Sequence, residues 1–137
     1  MAKISFFRRL LSYLLLGFFS LRTIFLLNFK SMNHILSSKG KKLDSANIKK
    51  PIEEIELAYK RICRINRFLK KNGCLNNTLT LIDYLSFSLV RFDFFIGIKF
   101  SEEDSFSSHS WVIVDNKLIN DDTNIEDFKI IYSMSSL

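Results

Sequence analysis

A chain of 137 residues with 14 Phe, four Gly and one Pro can form one domain with a modest core, and this composition excludes a disordered or fibrous protein. The net charge of +6 is uneven, because residues 1–71 hold 16 basic and 4 acidic residues (+12) whereas residues 72–137 hold 4 and 10 (−6). The basic half predicts contact with an anionic partner protein, membrane surface or nucleic acid, although a solvated helix face gives the same pattern.

The two cysteines, Cys63 and Cys74, stand 11 residues apart. This spacing matches neither a zinc site nor a disulfide framework. We therefore expect free thiols in a reducing, cytoplasmic setting, and no metal site. Cys63 falls inside a predicted helix, where we interpret it as a small packing residue.

The first predicted element is an apolar helix with one stripe formed by Leu10, Leu14, Phe18, Leu21 and Phe25. Basic residues precede its apolar run as in a signal peptide, but no small-residue cleavage site follows. The uninterrupted run is about a dozen residues long, short of the ~20 that a membrane span needs. We interpret it as a helix that packs on the core or on a partner. Attachment to a membrane surface, and a span or signal, are the alternatives.

A loop over residues 37–51, with His34 just before it, leads to a second predicted helix from Pro51 to Lys71. Acidic residues in its first turns and basic residues in its last match the helix dipole. Its remaining basic residues form either a solvated face or a docking surface for an acidic partner, and no nucleic-acid recognition motif accompanies them. We expect Gly73 to end this helix in the left-handed conformation.

A third helix is predicted from Cys74 to about Val90, with leucines at helical spacing. A helix N-terminus stabilises a thiolate and can hold an oxyanion, which makes Cys74 a candidate nucleophile. Position alone fits a half-buried structural cysteine as well. Asn76 and Asn77 lie close enough in sequence to be considered as oxyanion donors, but nothing in the sequence selects one.

Three strands are predicted after this helix, over residues 94–100, 109–114 and 117–120. Residues 101–108 are expected to form an acidic, serine-rich loop, Asp115-Asn116 a tight turn and residues 125–132 a last short element. Alternation along the second strand places His109, Trp111 and Ile113 on one face. The hairpin brings Asp121 back beside His109, so that a nucleophile, a base and a base-orienting carboxylate can be assembled.

Four segments of this half carry a family resemblance: Cys74-Leu75-x-x-Thr78-Leu79-x-Leu81, Ile96-Gly97-Ile98, Phe106-x-Ser108-His109-Ser110-Trp111-Val112-x-Val114-Asp115, and Leu118-Ile119-Asn120-Asp121. Together they resemble the lasso-peptide biosynthesis B2 proteins, over about residues 73–122. Where these proteins most often have Ala-His-Ala-Trp, this chain has serine at both alanine positions. Thr78 stands where Ser is common, and a proline often seen ahead of the phenylalanine is missing.

The resemblance implies an α+β fold: a transglutaminase-like, papain-like cysteine peptidase core over residues 72–137, with N-terminal helices over residues 1–71 and a small antiparallel sheet, in one compact domain. The basic N-terminal region would dock the partner or the leader. Cys74 would be the nucleophile, His109 the base and Asp121 the orienting carboxylate, with Trp111 as a candidate substrate contact. The implied activity is removal of the leader from a ribosomally made precursor peptide.

Expected partners are the precursor peptide, a leader-binding B1 protein and a separate lasso cyclase. No cofactor and no nucleic acid is expected, and the chain lacks the glycine pattern of a nucleotide-binding P-loop. Two other classes stay open: an acyltransferase that uses the same triad, and a non-catalytic, membrane-associated scaffold. The protein is expected in the cytoplasm, either free or attached to a membrane surface.

Overall fold

The computed structural model describes residues 2–29, 49–102, 105–119 and 124–135. The elements within these ranges follow in the order α1 (Ala2–Phe29), α2 (Ile52–Phe68), α3 (Cys74–Phe87), β1 (Asp93–Phe100), β2 (Phe106–Val114), β3 (Lys117–Leu118), a 3₁₀-helix (Ile125–Asp127) and β4 (Lys129–Ser135). This is the α+β architecture that the sequence predicts. His34 and the predicted loop up to residue 48 lie outside the described residues.

The four strands form one antiparallel sheet in the order β3-β2-β1-β4. β1 and β2 make a hairpin in which Phe100 stands opposite Phe106. The turn between β2 and β3 consists of Asp115 and Asn116, both at positive φ (49° and 62°). This is the backbone that a two-residue hairpin turn requires, and Asp and Asn adopt it more readily than most residues. The predicted tight turn is therefore confirmed.

Helix α3 lies at the centre of the molecule, in contact with α1, α2 and β2. Ten consecutive residues, 77–86, are buried. A helix with neighbours on one side only buries a stripe at every third or fourth residue, whereas a helix that is enclosed buries all of its positions. The largest fully buried side chains come from α3 itself and from α1, α2 and the sheet around it: Leu16, Phe19, Ile55, Ile62, Leu79, Leu81, Ile82, Leu85, Phe94 and Val112.

The end of α2 differs from the prediction for Gly73. The left-handed residue is Lys70, at φ 57°, whereas Gly73 is extended (φ −142°, ψ 154°) and caps the start of α3. Lys71 N donates to the carbonyl of Asn66, and Lys70 N donates to the carbonyl of Arg67. These two bonds form a Schellman motif, which closes the last turn of α2 three residues before the glycine. Gly73 is thereby left to begin the next helix.

The second strand also differs from the prediction, because β2 begins at Phe106, inside the predicted loop over residues 101–108. The Phe100 and Phe106 rings lie 6.4 Å apart across the hairpin, and cross-strand aromatic pairs of this kind stabilise a sheet. The predicted short element over residues 125–132 is a 3₁₀-helix followed by β4. β4 is mostly exposed, and only its second half alternates, with Tyr132 and Met134 half-buried between exposed neighbours, so the periodic signal is short.

Helix α1 is apolar on both sides. Leu16 and Phe19 face the core, together with the buried side chains of Ser20 and Thr23. The stripe predicted from the sequence is exposed on the opposite side: Leu10, Leu14, Phe18, Leu21 and Phe25. This stripe therefore does not pack on the core. In the part of the chain that the structure describes, no helix combines the length and apolarity that a membrane crossing requires.

An ion pair ties α1 to α3. Nη1 of Arg22 lies 2.7 and 2.8 Å from the two carboxylate oxygens of Asp83, whose side chain is only 3% exposed. A buried carboxylate is costly unless it is paired and hydrogen-bonded. Arg22 interrupts the apolar sequence of α1, and its charge is needed there to pair with the buried carboxylate of Asp83.

Candidate active site

Cys74 is the first residue of α3 and is half-buried. Gly73 precedes it as the N-cap and makes no side-chain hydrogen bond to the first turn, while Asn77 N donates to the Gly73 carbonyl at 3.0 Å. The N–H groups at the start of a helix have no partner within the helix, and they carry its positive dipole end. The thiol therefore lies at a terminus suited to an anion, either its own thiolate or an oxyanion on a substrate.

Two contacts hold this first turn against β2, one on each side of His109. The Cys74 sulfur lies 4.0 Å from the carbonyl oxygen of Ser108, and one turn later Thr78 Oγ1 lies 2.7 Å from Ser110 Oγ. The Thr78 hydroxyl also lies 2.8 Å from the Cys74 carbonyl, so it can donate there while it accepts from Ser110. The sulfur thus lies beside the backbone of the residue that precedes His109. Ser110 points towards α3, and the side chain of His109 therefore points to the other face of β2.

His109 shares its face of β2 with Trp111, as the sequence predicts. The centroid of its ring lies 6.1 Å from that of Trp111 and 5.7 Å from that of Phe128. Gly97 stands directly opposite His109 on β1, and a Cβ there would come within 2.9 Å of the side chains of both aromatic residues. The glycine therefore allows the two rings to close around the imidazole, and their contacts restrict its rotation.

The other two predicted site residues are Trp111 and Asp121. Trp111 is 3% exposed and stacks on Phe95 at 5.7 Å, so its role as a substrate contact stays a prediction. Asp121 lies outside the described residues. Ile119, the last described residue before it, donates its N–H to the Val112 carbonyl at 3.0 Å, so the chain still follows β2 at that point.

Four asparagines hold the segment that leads into Cys74. Asn66 Nδ2 donates to Asn77 Oδ1 at 2.8 Å, and Asn77 Nδ2 donates to Asn72 Oδ1 at 2.9 Å. Asn66 and Asn77 are buried, so this chain of amides joins α2, α3 and the loop between them. Asn76 Nδ2 donates to the Lys71 carbonyl at 3.0 Å. The amides of Asn76 and Asn77 therefore bind the loop. In the sequence, only the clustering of asparagines around Cys74 indicated this network.

A family model described as the transglutaminase-like superfamily matches residues 21–133. The chain belongs to this superfamily. The match runs from α1 into β4 and includes Cys74 and His109. Comparisons with curated proteins and with solved structures gave no significant match.

Transglutaminase-like proteins are typically cysteine peptidases or transglutaminases. Both chemistries begin when a thiolate attacks a carbonyl carbon, and both pass through a thioester. A transglutaminase-like chain thus needs a reactive thiol, a base and an anion-stabilising site. The start of α3 supplies a thiol and a terminus that stabilises an anion, and its contact with β2 lies next to His109, whose side chain points to the face of β2 opposite to that of Ser110.

The asparagine network of this transglutaminase-like chain gives a stability prediction. Asn77→Ala is expected to lower the free energy of unfolding by about 2 kcal/mol, because it leaves the buried Asn66 amide without its acceptor and releases Asn72. Urea unfolding followed by far-UV circular dichroism measures the change. The control is Asn76→Ala, whose exposed bond to a backbone carbonyl is worth less than about 0.5 kcal/mol. Equal losses in the two variants would contradict the network.

The second cysteine offers a test by thiol labelling. Burial raises the pKa of the Cys63 thiol, and the hydrogen bond with Tyr59 and the charge of Arg67, which lower it, do not reverse the shift. Because the thiolate is the reacting species, Cys63 is expected to react with iodoacetamide at least about tenfold more slowly than Cys74 near neutral pH. Peptide masses after digestion give both rates, and raising the pH should narrow the gap. Faster labelling of Cys63 would count against this assignment.

Proposed function

We propose that this protein is the leader peptidase of a lasso-peptide pathway, which cuts the leader from a ribosomally made precursor peptide. The observation that carries the proposal is the position of the Cys74 sulfur, at the start of α3 and 4.0 Å from the carbonyl of the residue before His109. Membership of the transglutaminase-like superfamily supports thiol chemistry at this point. The substrate class rests on the resemblance of the four sequence segments to lasso-peptide B2 proteins.

In the proposed mechanism, His109 takes the proton of Cys74 and the thiolate attacks the carbonyl carbon at the leader–core junction. The backbone N–H of Cys74, at the positive end of α3, is the proposed donor to the oxyanion. The imidazole then gives its proton to the leaving amine, which becomes the new N-terminus of the core peptide. Water, deprotonated by the same imidazole, hydrolyses the thioester and releases the leader.

Asp121 is the proposed third member, which would hold the imidazole in the tautomer that accepts the thiol proton. The path of the hairpin up to Ile119 supports this role, since the chain is still paired with β2 two residues before Asp121. The contacts of Trp111 and Phe128 with the imidazole would assist by restricting its orientation. A leader-binding B1 protein would deliver the precursor, and a separate ATP-dependent cyclase would close the ring.

The test is to incubate the purified chain with a precursor peptide and a partner shown to bind its leader, and to read the peptide masses. Hydrolysis gives a leader and a core whose masses sum to the precursor plus one water. An acyltransferase would instead give a leader that carries an added primary amine in a new amide bond. Intact precursor with the wild-type chain would contradict both activities and favour a non-catalytic scaffold.

A further inference from the structure

The outer face of α1 consists of Phe7, Leu11, Leu14, Phe18, Leu21 and Phe25. Each of these side chains is between 52% and 62% exposed, although all six are large and apolar. Their spacing of four and three residues keeps them on one side of the helix, opposite the side that faces the core. The helix thus presents a continuous apolar ridge to its surroundings.

The exposed apolar surface extends beyond the outer face of α1. Phe68 at the end of α2 and Phe87 at the end of α3 are also exposed, and Phe87 packs against Phe19 of α1 at 5.4 Å. Monomers normally expose large apolar residues singly, whereas six of them stand together on one face of α1 with these two phenylalanines near it. A surface of this size indicates a binding function.

The charges around the outer face are cationic. α1 contains no Asp or Glu, and Arg8 and Arg9 are exposed near its first turns. Arg64 and Arg67 are exposed on the neighbouring helix α2. A second copy of the chain would bring the same cations to the contact and be repelled by them. The complementary partner therefore has to be both apolar and anionic.

A cavity of about 330 Å³ opens beside this face, between α1 and α2. Tyr13, Gly17 and Leu21 line it from α1, and Ile65 and Phe68 line it from α2. A Cβ on Gly17 would meet no atom within 4 Å, so the glycine leaves space that no neighbour fills. Arg64 also lines the cavity, and its Nη1 donates to the Tyr13 hydroxyl at 3.3 Å. An apolar cavity with a guanidinium at its wall suits an acyl chain with an anionic headgroup.

We propose that α1 lies flat on an anionic lipid surface, with its outer face at the boundary between headgroups and acyl chains. The helix has 28 residues, or ~42 Å of length, along which the ridge can lie parallel to the surface without crossing it. Arg8 and Arg64, which lie beside the outer face, bind the lipid phosphates, and each arginine near an anionic surface contributes about a fivefold gain in affinity. The proposal does not depend on the peptidase activity.

Flotation of the full chain with lipid vesicles tests the proposal. We expect binding at least about tenfold tighter to vesicles with roughly three-tenths phosphatidylglycerol than to pure phosphatidylcholine, and weaker binding as salt is added. Arg8→Gln with Arg64→Gln should lower the affinity for the anionic vesicles by about tenfold or more. Equal binding to the two kinds of vesicle, or binding to neither, would overturn the proposal.

Leu14→Glu with Phe18→Glu locates the contact, because both positions are exposed and the fold should survive the change. We expect this variant to bind anionic vesicles at least about tenfold more weakly. The matched control, Ile130→Glu with Ile131→Glu on β4, replaces two exposed apolar residues elsewhere and should bind as the wild type does. Unchanged binding by the α1 variant would refute the proposed face. A dimer in light scattering that this variant abolishes, without vesicle binding, would assign the face to a second copy.

Discussion

Cys74→Ala is expected to abolish precursor cleavage, with kcat/KM falling on the order of 10⁴-fold or more. The substitution removes the sulfur that forms the thioester, and no other group at the start of α3 can replace it as the nucleophile. The fold should be kept, because the thiol is only half-buried and its contact with the Ser108 carbonyl, at 4.0 Å, is long. Loss of activity without loss of structure is the signature of a catalytic residue.

The matched control for this variant is Cys63→Ala. Cys63 lies on α2, is also half-buried, and has a thiol whose pKa is raised by burial. Its removal should leave kcat/KM within about twofold of the wild type, since a buried packing thiol contributes no thiolate. Both variants are assayed with the same precursor and leader-binding partner, and thermal unfolding of each checks the fold. Cleavage by Cys74→Ala at the wild-type rate would make Cys74 a structural residue.

Arg22→Met is expected to lower the free energy of unfolding by about 3 kcal/mol, because it takes a guanidinium away from the buried Asp83 carboxylate. The arginine is 43% exposed, which places the expected loss at the lower end for a broken buried pair. Methionine keeps most of the apolar stem, so the change isolates the charge. Urea unfolding followed by the fluorescence of Trp111 measures the loss.

The double variant Arg22→Met with Asp83→Leu should recover most of that stability, since replacing both partners of a buried pair by apolar residues is often close to neutral. Arg9→Met is the control on the same helix. Replacing this exposed arginine should change the free energy of unfolding by less than about 0.5 kcal/mol. A stability for Arg22→Met equal to that of the control would mean that Asp83 does not need this guanidinium.

Local patterns predicted the elements that carry the site. Helical spacing of leucines marked α3, and Asp115-Asn116 marked the hairpin turn. The prediction failed for Gly73, because a glycine is the usual left-handed residue, yet the hydrogen bonds that close α2 fall on Lys70 and Lys71. Periodicity also oriented α1 wrongly, because its most apolar stripe is exposed while the side that faces the core carries Ser20 and Thr23 beside Leu16 and Phe19.

The candidate site was predictable only where its residues fall in short motifs. Cys74 and His109 stand in such motifs, but the bond between Asn66 and Asn77 joins residues 11 apart on different helices. The pair of Arg22 and Asp83 spans 61 residues. Contacts of this kind depend on how helices pack, and no local spacing in the chain encodes them.

The enclosure of α3 also determines how firmly the protein holds the Cys74 thiol in position. Backbone amides that are buried by three neighbouring elements exchange with solvent only when the whole core opens. Cys74 precedes this buried stretch and is half-buried, so it is held in position by the bonds of Asn77 and Thr78 that follow it, and activity should disappear no later than native structure as denaturant is added. The mobile partner in any reaction is then the peptide, which must adapt its shape to a thiol that is already fixed.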